Sequence, residues 1–185
     1  MKKTRRTVCV AVCALAAAGI ATAQTKAKKL VAEPTAFYED CGEVVECLQD
    51  PITLPANVLD ALWATDEAKS MRGELRSLGR DGFSRLFKAV VIHLGSSKET
   101  DYVVLSEFPM GGVDAPWFWI VRMDQIQPKI IFFSFANGFE LLKAKTNGYP
   151  NIRSLAFAGD VQYTNVYHYD GQRYVLVRKY QKEMK

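Results

Sequence analysis

The sequence predicts an α+β domain in which two short N-terminal helices pack on a mainly antiparallel meander sheet of about eight strands. Three observations lead there. Between positions 53 and 79 apolar residues recur at helical spacing. From Leu86 onward the pattern changes to short runs rich in Val, Ile, Phe, Tyr and Trp. Asn-Gly and Asp-Gly pairs separate the later runs, too closely to leave room for crossover helices.

Taken in order, Thr53-Leu54-Pro55 supplies a cap candidate and a first-turn proline, and Val58, Leu59, Leu62 and Trp63 share one helical stripe. Thr65 is the cap candidate of the second helix. Asp66 and Glu67 suit its N-terminus, and Ala68, Met71, Leu75 and Leu78 keep helical spacing. Gly73 weakens this helix, and Gly79 is placed to end it. Strands are expected over 86–94, 102–107, 117–123, 129–135, 139–145, 152–158, 161–169 and 173–180. Asn137-Gly138, Asn147-Gly148 and Asp170-Gly171 each supply the positive φ that a tight hairpin needs. The runs 86–94 and 130–135 are apolar on both alternating faces, which predicts cover on two sides. In the last run Tyr174 and Leu176 give way to Arg178 and Lys179, which fits an edge or a wetted face. The helices then pack over one side of the sheet. A faint internal echo, with related loops roughly 50 residues apart, reads as related hairpins within that sheet.

The N-terminus reads as an export signal. Lys2, Lys3, Arg5 and Arg6 precede a 13-residue apolar run from Val8 to Ile20, and Ala21-Thr22-Ala23 offers a small-x-small cleavage site before Gln24. The run is too short to span a bilayer, which takes roughly 20 residues. Thr4-Arg5-Arg6-Thr7 leaves the twin-arginine route open beside the general secretory one. The expected organisation is a signal peptide over 1–23, a flexible leader over 24–35 and a single domain over 36–185, with the protein periplasmic or secreted. Without the signal, Lys and Arg number 20 against 20 Asp and Glu, so the surplus of four positive charges belongs to the signal. No general attraction to nucleic acid or anionic membrane follows. Cys41 and Cys47 remain after cleavage and read as one disulfide closing a small loop, worth about 2 kcal/mol. A redox-active pair is the alternative, although such pairs typically enclose two residues instead of five.

Thr146-Asn147-Gly148-Tyr149-Pro150-Asn151-Ile152, followed by Tyr167-His168-Tyr169-Asp170-Gly171-Gln172-Arg173-Tyr174, resembles the C-terminal signature of small exported bacterial proteins of uncharacterised function. It is similar, more distantly, to a single repeat of the FG-GAP type found in extracellular propellers. The likeness covers residues 140–180 and implies an exported β-rich domain. It implies no activity. FG-GAP loops often bind calcium through several carboxylates, whereas this loop offers Asn147 and Asn151 with no acid, so a calcium site is not expected.

No nucleophile elbow, zinc-protease helix or nucleotide loop occurs. His93, His168 and Asp170 are the residues an acid–base reading would use, but structural or surface roles are the preferred reading of both histidines. Two histidines and a paired cysteine set make a poor zinc site; no metal or cofactor is expected. Residues 108–116 form the most unusual loop. Met110, Gly111, Gly112, Val113 and Asp114 lie between Pro109 and Pro116, directly before Trp117 and Trp119. One reading is a recognition loop beside an aromatic platform; the other places both tryptophans in the core. Tyr163, Tyr167 and Tyr169 alternate on one strand face, either as a half-wet row for a sugar or protein or as the cover of a second core. Export, one covalent clip, displayed loops and no recognisable chemistry together lead to a non-catalytic binding domain with an envelope or extracellular protein as partner. An inhibitor or immunity partner of a cell-wall hydrolase is its concrete form. An envelope-polymer hydrolase and a small-ligand carrier are the alternatives.

Overall fold

A computed structural model of the chain describes residues 35–38, 52–95, 99–107, 110, 115–124 and 127–184. The chain divides into units Met1–Val31 and Ala32–Lys185, and the described residues all belong to the second. Residues 1–34, where the signal peptide and most of the leader were expected, and Cys41 and Cys47 lie outside the described residues.

The element order is β1 (Ala36–Tyr38), α1 (Ala56–Trp63), α2 (Asp66–Ser70), α3 (Arg72–Leu75), a 3-10 turn (Arg76–Leu78), α4 (Gly79–Ser84), β2 (Phe87–Ile92), β3 (Thr100–Ser106), β4 (Trp117–Asp124), β5 (Gln127–Phe135), β6 (Gly138–Thr146), β7 (Tyr149–Ala158), β8 (Val161–Tyr169) and β9 (Tyr174–Glu183). The eight strands read from the sequence form as β2–β9, and β1 is an addition. Every strand pairing is antiparallel.

They form two sheets, which corrects the single eight-strand meander. One has the order β2-β3-β4-β5, the other β1-β6-β7-β8-β9. The break falls at Asn137-Gly138, where a tight hairpin was expected, and neither residue takes positive φ there. Instead the neighbouring amides commit to different sheets. The Ala136 N–H donates to the carbonyl of Pro116, which leads into β4, while the Asn137 N–H donates to the carbonyl of Leu155 in β7. The Asn137 side-chain oxygen also accepts from the Phe157 N–H. The other two pairs behave as turns: Asn147 and Gly148 sit at φ 51° and 82°, and Gly171 at 106°. Each sheet is therefore built on a four-strand meander, and the internal echo joins their middle strands across two sheets instead of within one.

Period-2 alternation then splits the first sheet's side chains between two cores. Phe118 and Ile120 on β4, Val103 and Leu105 on β3, and Val90 and Ile92 on β2 face the second sheet. There they meet Phe37, Phe139, Ile152, Tyr169 and Tyr174. Trp119, Val121, Val104, Phe87 and Ala89 face the other way, against Val58, Leu59, Leu62, Ala68, Leu75 and Phe83 of the helical segment. The result is three layers: helices, the four-stranded sheet and the five-stranded sheet. Phe132 on β5 packs its ring against Phe139, Tyr167 and Tyr174, on three different strands of the second sheet.

The helical segment differs from the two helices expected. Pro55 occupies the N-cap of α1 in place of Thr53. Thr65 does cap α2, its Oγ1 accepting from the Ala68 N–H at 3.2 Å. The second helix then breaks at Met71 into α2 and α3, and the 3-10 turn follows. Gly79 ends that turn at φ 62°, as its freedom from a Cβ allows, but the chain re-enters a helix at once as α4. Phe83 on α4 supplies the reason to continue: it is buried between Trp63 and Phe87.

Candidate functional site

Two features stand out on this frame, a charged cleft at one end of the sandwich and a free end of the second sheet. The cleft starts from register. β3 and β4 place Asp101 directly opposite Arg122. Both lie on the face that carries Val103, Phe118 and Ile120, so a charged pair points between the sheets. Asp101 is fully buried, and the Arg122 side chain keeps 9% exposure. Asp101 Oδ1 accepts from Arg122 Nε at 2.9 Å and Oδ2 accepts from the Leu94 N–H at 3.0 Å. Arg122 Nη1 donates to the Tyr169 hydroxyl at 3.1 Å, while Nη2 is buried without a partner among the described residues.

The hairpins of the second sheet complete the surroundings. Tyr149 follows the Asn147-Gly148 turn, and Asn147 Nδ2 donates to the Tyr169 carbonyl at 2.8 Å, which ties the β6–β7 turn to the end of β8. The guanidinium lies 4.4 Å from the Tyr149 ring centre and 5.4 Å from that of Tyr169, and the two rings are 4.2 Å apart. The Tyr149 hydroxyl donates to Glu99 Oε2 at 3.0 Å, and the same oxygen lies 3.8 Å from Arg122 Nε. A Cβ on Gly95 would fall 2.7 Å from the Tyr149 ring and hydroxyl, so this close approach requires a glycine.

Burial disfavours the charged form of Arg122, but the hydrogen bond and charge of Asp101 outweigh it, and the pKa stands above its ordinary value. Burial also raises Tyr149, helped by the hydrogen bond to Glu99. Glu99, Thr100, Asp124, Lys129, Met123, Ile131 and Gly171 join these groups around an open cleft of about 580 Å³.

Tyr174 sits in the neighbouring core, where its hydroxyl donates to the Pro150 carbonyl at 2.9 Å. Burial raises its pKa well above the ordinary 10.0. Unfolded chains therefore lose this proton first, and stability falls as pH rises through 10. Tyr174→Phe is expected to cost about 1 kcal/mol near pH 7 through the lost hydrogen bond. It should also make the decline of melting temperature above pH 10 shallower than in the parent. Thermal melts across that range check both.

The second feature is the far end of β7, β8 and β9. Of nine large apolar or aromatic side chains exposed among the described residues, six lie between 157 and 184: Phe157, Tyr163, Leu176, Val177, Tyr180 and Met184. Three cross-strand rows face away from the sandwich: Arg153–Val166–Arg178, Leu155–Thr164–Tyr180 and Phe157–Gln162–Lys182. Phe157 and Tyr180 thus share one face, flanked on β9 by Arg178 and Lys182. Charge is also uneven. Residues 136–185 hold eight Lys or Arg against four acids, whereas residues 24–135 hold twelve against sixteen. β9 is an edge strand, and a bulge opposite Val166 and Tyr167 together with its basic side chains blunts it against strand-to-strand pairing.

The residues singled out from the sequence separate widely. Met110 is buried in the helix-side core at 2% exposure, and Gly111, Gly112, Val113 and Asp114 lie outside the described residues. Trp119 is fully buried and Trp117 partly buried in that same core, edge-on to each other, and neither lines the clefts of about 580, 380 or 220 Å³. Trp119 is core packing, and Trp117 packs on the same core while remaining partly exposed. The tyrosine row divides: Tyr163 is 41% exposed, Tyr167 packs on Phe132, and Tyr169 enters the cleft. His93 follows β2, and His168 lies on the outward side of β8. Asp170 Oδ1 accepts from the N–H groups of Gln172 and Arg173, which closes the β8–β9 turn and holds its pKa low. Among the described residues no three His, Cys, Asp or Glu side chains are placed to hold a metal ion, and no helix is long and apolar enough to cross a membrane.

Arg122, Asp101, Glu99 and Tyr149 were not among the residues singled out. The available signal was a charged residue at a core-facing position in each of two successive strands.

No protein-family model matches the chain, and no curated protein or solved structure is significantly similar to it.

Proposed function

We propose that the chain is an exported, non-catalytic binding domain of the bacterial envelope, and that the free end of its second sheet recognises another protein. The supporting observation is the concentration of exposed apolar side chains on residues 157–184, set among basic ones. Phe157 and Tyr180 share the outward face with Arg178 and Lys182, while Tyr163 and Leu176 lie on the face turned to the first sheet. Exposed aromatic side chains set among charged ones on one face have the composition of an interface. The surplus of positive charge on residues 136–185 favours a partner whose contact surface is acidic. An inhibitor or immunity partner of a cell-wall hydrolase is the concrete form.

The test is capture of envelope proteins on immobilised residues 24–185, followed by solution binding of the retained protein. A stoichiometric partner at micromolar concentration or below, with affinity falling as salt rises, is expected. Retention of no envelope protein at micromolar concentration removes the reading.

A further inference from the structure

We propose that the cleft around Arg122 binds a free α-amino acid as its zwitterion, independently of protein recognition by the second sheet. Arg122 is more than nine-tenths buried in the cleft wall, and its Nη2 is left without a partner among the described residues. A buried charged donor in that state costs free energy until an acceptor arrives.

The charges around it define the acceptor. Arg122 and Lys129 are cross-strand partners on β4 and β5, and Glu99 and Asp124 line the cleft beside them, with Asp101 buried behind Arg122. A simple anion would meet two carboxylates at the cleft surface, and a simple cation would meet two bases. A zwitterion places its carboxylate at Arg122 and Lys129 and its ammonium at Glu99 and Asp124. Glu99 Oε2 lies only 3.8 Å from Arg122 Nε, so the opposite charges are adjacent, as they are when both groups sit on one carbon. Stacking of a sugar is not favoured, because the Tyr149 and Tyr169 rings already engage each other and Arg122. The volume of about 580 Å³ is that of a small-molecule site, with room for a side chain against Met123 and Ile131.

Calorimetric titration of the purified full chain with L-leucine tests this, with N-acetylleucine and leucinamide as probes that each lack one charge. Leucine is expected to bind saturably at millimolar concentration or below, and either blocked form at least about tenfold more weakly. Arg122 variants risk unfolding, so the substitutions are Lys129→Ala and Asp124→Asn, both at exposed positions. Each should weaken leucine several-fold with an unchanged melting temperature. Absence of saturable binding, which is the result if a water alone satisfies Nη2, overturns the proposal. Equal binding of the blocked forms, or unchanged binding by both variants, overturns it as well.

Discussion

Replacement of Asp101 by Ala is expected to destabilise the fold by about 3–5 kcal/mol, the cost of leaving a buried charge without its partner. The carboxylate compensates the Arg122 guanidinium and accepts the Leu94 N–H, so the substitution orphans two donors at once. For a domain of this size the loss corresponds to roughly 10 °C or more in melting temperature. The double replacement Asp101→Leu with Arg122→Met should recover much of it, since neither charge then remains buried. Denaturant unfolding of the parent, the single and the double variants gives the comparison. A single-variant cost under about 1 kcal/mol would mean that water reaches the pair and that its burial is not a constraint on the fold.

The second large effect is expected at Phe139. Its ring stacks on Phe37 at 4.9 Å and meets Phe118 at 5.3 Å and Phe132 at 5.4 Å, so one side chain joins β1 and β6 of the second sheet to β4 and β5 of the first. Phe139→Ala removes the shared contact of three rings and opens a cavity between the sheets, at about 3–5 kcal/mol. Phe135→Ala is the control: it has the same chemistry on the same sandwich but is 48% exposed, and it should change stability by less than about 1 kcal/mol. Equal losses in the two variants would contradict the sandwich arrangement.

The individual strands were legible because alternation of apolar residues is a local property. The division into two sheets was not. Asn137-Gly138 has the composition of a hairpin turn whether the chain pairs with its predecessor or crosses to a new sheet, and only hydrogen bonds to Pro116 and Leu155 decide between them. The Arg122–Asp101 pair was hidden for a related reason. The two residues are 21 positions apart. Asp101 falls just before one expected strand and Arg122 inside another, and a single charge in an apolar run does not name its partner. Register alone brings them together. The tryptophans were readable as core or platform until the helices were placed, because cover of the outer face of the four-stranded sheet depends on where residues 56–84 pack. The tyrosine row kept its common face but not a common role: the first sheet reaches Tyr167 and Tyr169 and leaves Tyr163 exposed.

The most direct test of the binding account compares the affinity of the captured envelope partner for the parent with that for a Phe157→Ser, Tyr180→Ser double variant, with melting temperatures measured on both. Both side chains are exposed on the same outward face, so the fold should be nearly unaffected. Loss of affinity by at least about tenfold, at an unchanged melting temperature, is the predicted result. Unchanged affinity would place recognition elsewhere on the molecule and contradict the account.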